Sequence, residues 1–333
     1  MKGTDTNIQL LQNTDILTFA NSNPFAENLL KKAPATIRRH VHELRNFGAF
    51  LADRGADPCN MQRPADWKQV TAEDIHDYKN YLLYGRCLAV STVNQSVFII
   101  RSYAGLSAAH NGMNQNEYFK ATQQARGIRA READRIDALR PVKRASNKKA
   151  EAVAITRLEA EKLKHEHADD PRGRRDAFLM CLLLDLGLRI SDVIALEPEN
   201  IDMTARVISV KTKKTGTELK LAMTEDIYQA AARYFQHFTP EAGAPVWYGV
   251  NKHGQIQGGF NKHSAQMRIK QLGESAGVHG FSAHDCRHYW VTAADRGGSS
   301  LLAITEAGGW TSPTMPARYI NKNRIANMNI KLA

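Results

Sequence analysis

Apolar residues recur at helical spacing from Pro34 to Gly55, with Ile37, Val41, Leu44, Phe47, Phe50 and Leu51 on one face and Arg38, Arg39, His40 and Arg45 on the others. The tetrapeptide Thr71-Ala-Glu-Asp is expected to cap the start of a second helix. A third stretch, from about Ser91 to Leu106, turns Val93, Val97, Ile100 and Tyr103 inward and leaves Thr92, Asn94, Gln95 and Arg101 exposed. The first part of the chain therefore reads as all-helical.

Between Arg126 and Lys149 the apolar pattern thins, and nine Lys or Arg stand against three acids, which predicts a solvated connector. This divides the chain into a helical domain over 1–125, a basic linker over 126–150 and a second domain over 151–333. The second domain opens on Thr156-Arg-Leu-Glu, a capping-box pattern, followed by a buried helix at Ala177–Leu188. Ala205–Val210 and Glu218–Met223 then alternate apolar with polar around Lys213-Lys-Thr-Gly216, the pattern of a β-hairpin with glycine in its turn. Helices are expected from there nearly to the end, where Met328-Asn-Ile-Lys-Leu332 alternates like a short strand. The expected fold is mainly α with a small antiparallel β-sheet.

A length of 333 residues suits two domains of ordinary size, and 43% apolar content is enough for ordinary cores. The excess of 45 Lys+Arg over 34 Asp+Glu gives +11 and a pI near 9.5, which favours a polyanionic partner. Cys59, Cys87, Cys181 and Cys286 form no CxxC pair and no disulfide or zinc spacing, which fits a reducing, cytoplasmic setting. The N-terminus has no apolar signal core, and the longest apolar run, Ala177–Leu184, is far short of a membrane span, so no membrane partner is expected.

The candidate chemistry lies near the C-terminus. His284 and Arg287, three residues apart, share a helix face and can reach one phosphate. Arginine suits that task because its planar fork donates two parallel hydrogen bonds and stays charged at any physiological pH. Arg189 lies far upstream in Leu186-Gly-Leu-Arg-Ile-Ser-Asp192, and Tyr319 follows Gly309-Trp310 by nine residues. Two guanidinium groups can hold a phosphodiester while the phenol oxygen attacks its phosphorus, chemistry that cuts DNA through a covalent protein link and needs no cofactor. A phenol with a pKa of about 10 needs help to do this, from neighbouring cations and from a histidine that takes its proton. On the hairpin, Lys214 is the candidate acid for the leaving 5′ oxygen, with Lys213 as its neighbour and competitor. The groups His284, Cys286, His288 and His165-Glu-His167 lack the spacing of zinc sites, so no metal is expected.

On these residues, in this order and at this spacing, the second domain resembles the catalytic domain of the tyrosine recombinases, the phage integrase family. The resemblance implies that Arg189 and Arg287 hold the scissile phosphate, His284 assists proton transfer, Lys214 acts as general acid and Tyr319 forms a 3′-phosphotyrosyl bond. Trp310 takes a position where many members carry histidine, and its indole N–H can donate but not shuttle a proton. Asp192 would orient neighbouring groups, and Pro316 would start or kink the helix carrying the tyrosine. The first domain resembles the family's all-helical, SAM-like core-binding domain, which with the α+β catalytic domain forms a C-shaped clamp on double-stranded DNA. Its expected contacts are Arg38, Arg39, Ser91, Thr92, Asn94, Gln95 and Arg101, joined by Lys143 and Arg144 of the linker. About twenty residues precede the first helix, so the arm-binding domain of some integrases is expected to be absent. The resemblance also implies a homotetramer on its recombination site, joined by exchange of C-terminal tails. Two alternatives stay open, DNA relaxation in the manner of a type IB topoisomerase and a catalytically silent DNA-binding regulator.

Overall fold

Both expected helix caps form, each as a capping box. Thr71 accepts the Asp74 N–H while the Asp74 carboxylate takes the Thr71 N–H, and Thr156 and Glu159 repeat the arrangement. The computed structural model describes residues 23–57, 59–142, 152–212, 216, 218–251 and 253–320. It divides into two compact units, Met1–Lys149 and Ala150–Ala333.

The described part of the first unit is helical: α1 (Pro24–Leu30), α2 (Pro34–Ala52), α3 (Ala72–Asn80), α4 (Val90–Ala109), α5 (Gln115–Gln124) and α6 (Ala130–Ala138). Its core joins Leu44 and Phe47 of α2 to Trp67, to Ile75 and Tyr78 of α3, and to Val93, Val97, Ile100 and Tyr103 of α4. One expectation for α2 fails, because His40 faces inward. It is 8% exposed and its Nδ1 lies 3.2 Å from the Tyr103 hydroxyl. Glu43, one turn on, is buried too and accepts from Tyr78 (2.7 Å) and Ser96 (2.9 Å). Both polar groups fall on the core stripe and are tolerated there because hydroxyls pair with them.

The expected connector also departs from its reading, since its first half is structured. Ile128 exchanges two hydrogen bonds with the Asn94 side chain, at 2.8 and 2.9 Å. The Asp137 carboxylate receives the Val90 N–H at the start of α4, where a negative charge suits the helix dipole. Arg140 donates to the Leu83 and Leu88 carbonyls and to Asp137. Lys143 and Arg144 lie outside the described residues.

The second unit contains α7 (Arg157–His165), α8 (Pro171–Asp185), α9 (Ile190–Val193), α10 (Glu225–Phe235), α11 (Lys262–Ser275), α12 (Ala283–Arg296), α13 (Leu301–Ala307) and α14 (Thr314–Ala317). Phe178–Leu184 of α8 are all buried, because α7, α10 and α12 pack around that helix. A three-stranded antiparallel sheet runs β1 (Ile201–Asp202), β2 (Val207–Lys211), β3 (Glu218–Ala222), with Val207 opposite Ala222 and Lys211 opposite Glu218. Ile208 and Val210 point into the core, as the alternation requires. A second hairpin, β4 (Tyr248–Val250) with β5 (Ile256–Gly259), stands where only helix was expected. Every residue of β5 is exposed and two are glycine, so no alternation marks it in the sequence. The architecture is mainly α with small antiparallel sheets, an all-helical unit followed by an α+β one.

Candidate active site

The site begins where α8 ends. Gly187 adopts φ +58°, a left-handed conformation that ends the helix at little strain in glycine, and a Cβ there would lie 2.4 Å from the Trp290 ring. The turn it makes delivers Arg189 to the N-cap of α9. Asp192, 3% exposed, holds its carboxylate 3.8 Å from the Arg189 guanidinium.

Arg287 lies on α12, 4% exposed, and is fixed on three sides. Its two terminal nitrogens donate to the Gly187 and Gly308 carbonyls, both at 2.6 Å, and its guanidinium carbon lies 3.6 Å over the Trp310 ring. Burial lowers its pKa to about 10, and the Arg189 charge nearby adds to that, while Tyr319 and Asp192 oppose it. It stays protonated at neutral pH. Trp310 stacks on Trp290 at 6.4 Å between centroids, and Gly308 beside it leaves room that a Cβ would close.

Tyr319 follows α14, which stops at Ala317. Pro316 falls inside this four-residue helix, and the Tyr319 N–H donates to the Pro316 carbonyl. The tyrosine ring stands among His284 (5.5 Å between centroids), His288 (5.2 Å) and Trp310 (5.8 Å). Thr292 donates to the Tyr319 carbonyl at 3.4 Å, which ties this segment to α12. His284, Arg287, His288 and Thr292 recur at i, i+3, i+4 and i+8, so one face of α12 carries them all. His288 joins the cluster without an expected role, and its four-residue spacing from His284 is the sign of it in the sequence. Burial pushes its pKa below the ordinary histidine value, against the pull of Asp285, and so favours the neutral, proton-accepting ring.

Lys213 and Lys214 lie outside the described residues, but the base of their hairpin is visible. A Cβ on Gly309 would come 2.9 Å from Leu219 and 3.3 Å from Thr212, so β2 and β3 rise beside Trp310. Among the described residues, Glu161, His165 and Asp226 form the one group whose donor atoms could share a metal. The Lys164 ammonium already lies 2.5 Å from Asp226 and 3.2 Å from Glu161.

In the first unit Arg38, Arg39, Ser91 and Gln95 are exposed, whereas Thr92, Asn94 and Arg101 are half-buried. Asn94 spends its amide on Ile128. Arg101 has a buried Nε with no partner among the described residues. Phe98 is 68% exposed on the face that carries Ser91 and Gln95, and its place off the Val93–Val97–Ile100 stripe is the sign of this in the sequence. No Asp or Glu occurs anywhere in α4.

Residues 154–325, more than half of the chain, match the family model described as the phage integrase family. Tyrosine recombinase XerC of Staphylococcus saprophyticus is 23% identical over 292 residues, which cover 85% of this chain and 85% of that protein. Tyrosine recombinase XerD of Neisseria meningitidis is 27% identical over 145 residues, 42% of this chain, and that match spans about half of the relative, 48%. Among solved structures, the Tn1549 transposon integrase in complex with circular intermediate DNA has a TM-score of 0.61 at 15% identity, over 90% of this chain and 95% of that one. A lambda integrase dimer bound to a COC′ core site has a TM-score of 0.59 at 13% identity, over 91% and 94%. Likeness at these identities shows the fold, and the family match across the residues that surround Tyr319 shows more: the chain belongs to the phage integrase family of tyrosine recombinases.

Proposed function

We propose that the protein is a site-specific DNA recombinase that cleaves and rejoins strands through a 3′-phosphotyrosyl intermediate. The observation that carries this is the gathering of His284, His288, Trp310 and the fixed Arg287 around Tyr319. In this reading Arg189 and Arg287 take the non-bridging oxygens of the scissile phosphate, and Tyr319 Oη attacks phosphorus as the bond to the 5′ oxygen breaks. The phenol proton passes to His284 or His288, and Lys214 gives one to the departing oxygen. A 5′ hydroxyl from a partner strand then reverses the step, so the phosphodiester energy is conserved.

Positioning and charge supply the catalysis, which suits a site whose second guanidinium is held before substrate arrives. Arg38, Arg39, Ser91, Thr92, Gln95 and Arg101 are proposed to meet phosphates and major-groove edges, and the exposed Phe98 ring suits contact with a thymine methyl. A homotetrameric synapse joined through the C-terminal tails, acting in the cytoplasm, completes the proposal. The test is to trap the protein on a nicked suicide duplex and map the modified residue. Tyr319→Phe is expected to abolish the covalent complex while DNA affinity stays within about twofold, and persistent trapping by that variant removes Tyr319 from the nucleophile role.

A further inference from the structure

The second unit holds a cavity of about 480 Å³ between the start of α8, the β4–β5 hairpin and α11, and none of its lining residues belongs to the tyrosine cluster. Arg172, Arg175 and Arg268 line it, and no acid does. Behind them lies Asp176, 0% exposed, which accepts from Arg175 on one oxygen (2.9 and 3.2 Å) and from Arg268 on the other (2.7 Å). One carboxylate against three guanidinium groups leaves two positive charges in excess.

The arginines are unequally engaged. Arg175 lies 4.1 Å over the Phe260 ring and also donates to the Tyr248 carbonyl, so it is held as part of the wall. Arg172 donates one terminal nitrogen to the Asn251 carbonyl, and Arg268 gives its Nη1 to Gln271. Among the described residues nothing accepts from Arg172 Nε or Nη1, or from Arg268 Nη2. A half-buried guanidinium with open donors favours an oxyanion. The helix end itself is already capped by the Asp170 carboxylate, which accepts the Gly173 N–H, and Arg174 pairs with Asp169, so the donors left open to an anion are those of Arg172 and Arg268.

We propose that this cavity is a phosphate-binding site, filled by a phosphodiester of the DNA other than the scissile one. The proposal rests on the recombinase reading for the source of the phosphate but not for the site itself. A planar carboxylate satisfies one guanidinium fork, whereas a tetrahedral phosphate can turn separate edges to Arg172 and Arg268, which approach from different helices.

Two variants test it in the full chain. Arg172→Gln removes one charge and keeps an amide that can bond Asn251, and Met267→Glu places an acid at the mouth, where Met267 is 47% exposed, without touching any arginine contact. Calorimetry with inorganic pyrophosphate and no DNA reads the site, and salt-dependent binding to a 30-base-pair duplex reads the source. Both variants are expected to weaken pyrophosphate binding at least tenfold and to reduce the slope of log affinity against log salt by about 1. Loss of pyrophosphate binding with an unchanged DNA slope overturns DNA as the source and assigns the site to free phosphates. Unchanged binding in both arms overturns the site. A wild-type chain that takes pyrophosphate in this cavity but forms no covalent complex on a suicide duplex sinks the recombinase reading alone.

Discussion

Arg287 is almost fully buried, yet it remains a cation, and the reasons are local. Two carbonyl oxygens at 2.6 Å and the indole face of Trp310 at 3.6 Å replace the water it has lost. Its pKa near 10 leaves it charged at neutral pH, with Arg189 close enough to repel it. Trp310 therefore acts by holding a guanidinium, which agrees with an indole that cannot shuttle protons. A desolvated cation–π contact is worth about 2 kcal/mol, or about thirtyfold in rate. Trp310→Ala is expected to slow covalent-complex formation on a suicide duplex by about ten- to thirtyfold with DNA affinity within about twofold, and Trp310→Phe to recover part of the loss. A wild-type rate for the alanine variant would refute the role. Spacing alone made His284 and Arg287 legible because they are neighbours on one helix. The stacking of Arg287 on Trp310 was not, since it depends on the turn at Gly308 and on Trp290 beneath.

At the scale of elements, legibility followed how local the determining interactions are. Thr71 and Thr156 announce their helices within four residues, and the β2–β3 hairpin announces itself by alternation and a glycine, Gly216, at φ +70°. Helix α6 has no such signal. Only Ala133 and Ile136 touch the core, and its place is fixed by Asp137, Arg140 and the bonds between Ile128 and Asn94, partners more than thirty residues away. Its charge density reads as solvation when those partners are unseen. Asn94, taken from sequence as a DNA contact, is thus the side chain that docks the start of this segment on α4. Asn94→Ala removes two hydrogen bonds and leaves the Ile128 backbone groups unmatched, and is expected to destabilise the first unit by about 1–3 kcal/mol in urea unfolding. Gln95→Ala, one residue on and exposed, should stay within about 0.5 kcal/mol of wild type and lower DNA affinity instead. Wild-type stability with weakened DNA binding in Asn94→Ala would return that residue to the interface.

The whole molecule carries +11, and this excess acts differently from the charges around Tyr319. Arg38 and Arg39 are exposed, and in the proposed DNA complex such cations would act on phosphates through water, where counterion release makes affinity fall steeply with salt. Arg287 is buried against carbonyls and an indole, where mobile ions screen little. The two should therefore separate in one experiment. If a duplex engages about six to ten phosphates, its affinity is expected to fall by about 10³–10⁵ between 50 and 200 mM salt. The single-turnover rate of covalent-complex formation, measured with protein in saturating excess at each salt concentration, should change by less than about threefold over the same range. A rate that falls in parallel with affinity would mean that long-range charge, and not the fixed contacts of Arg287, sets the energy of the chemical step.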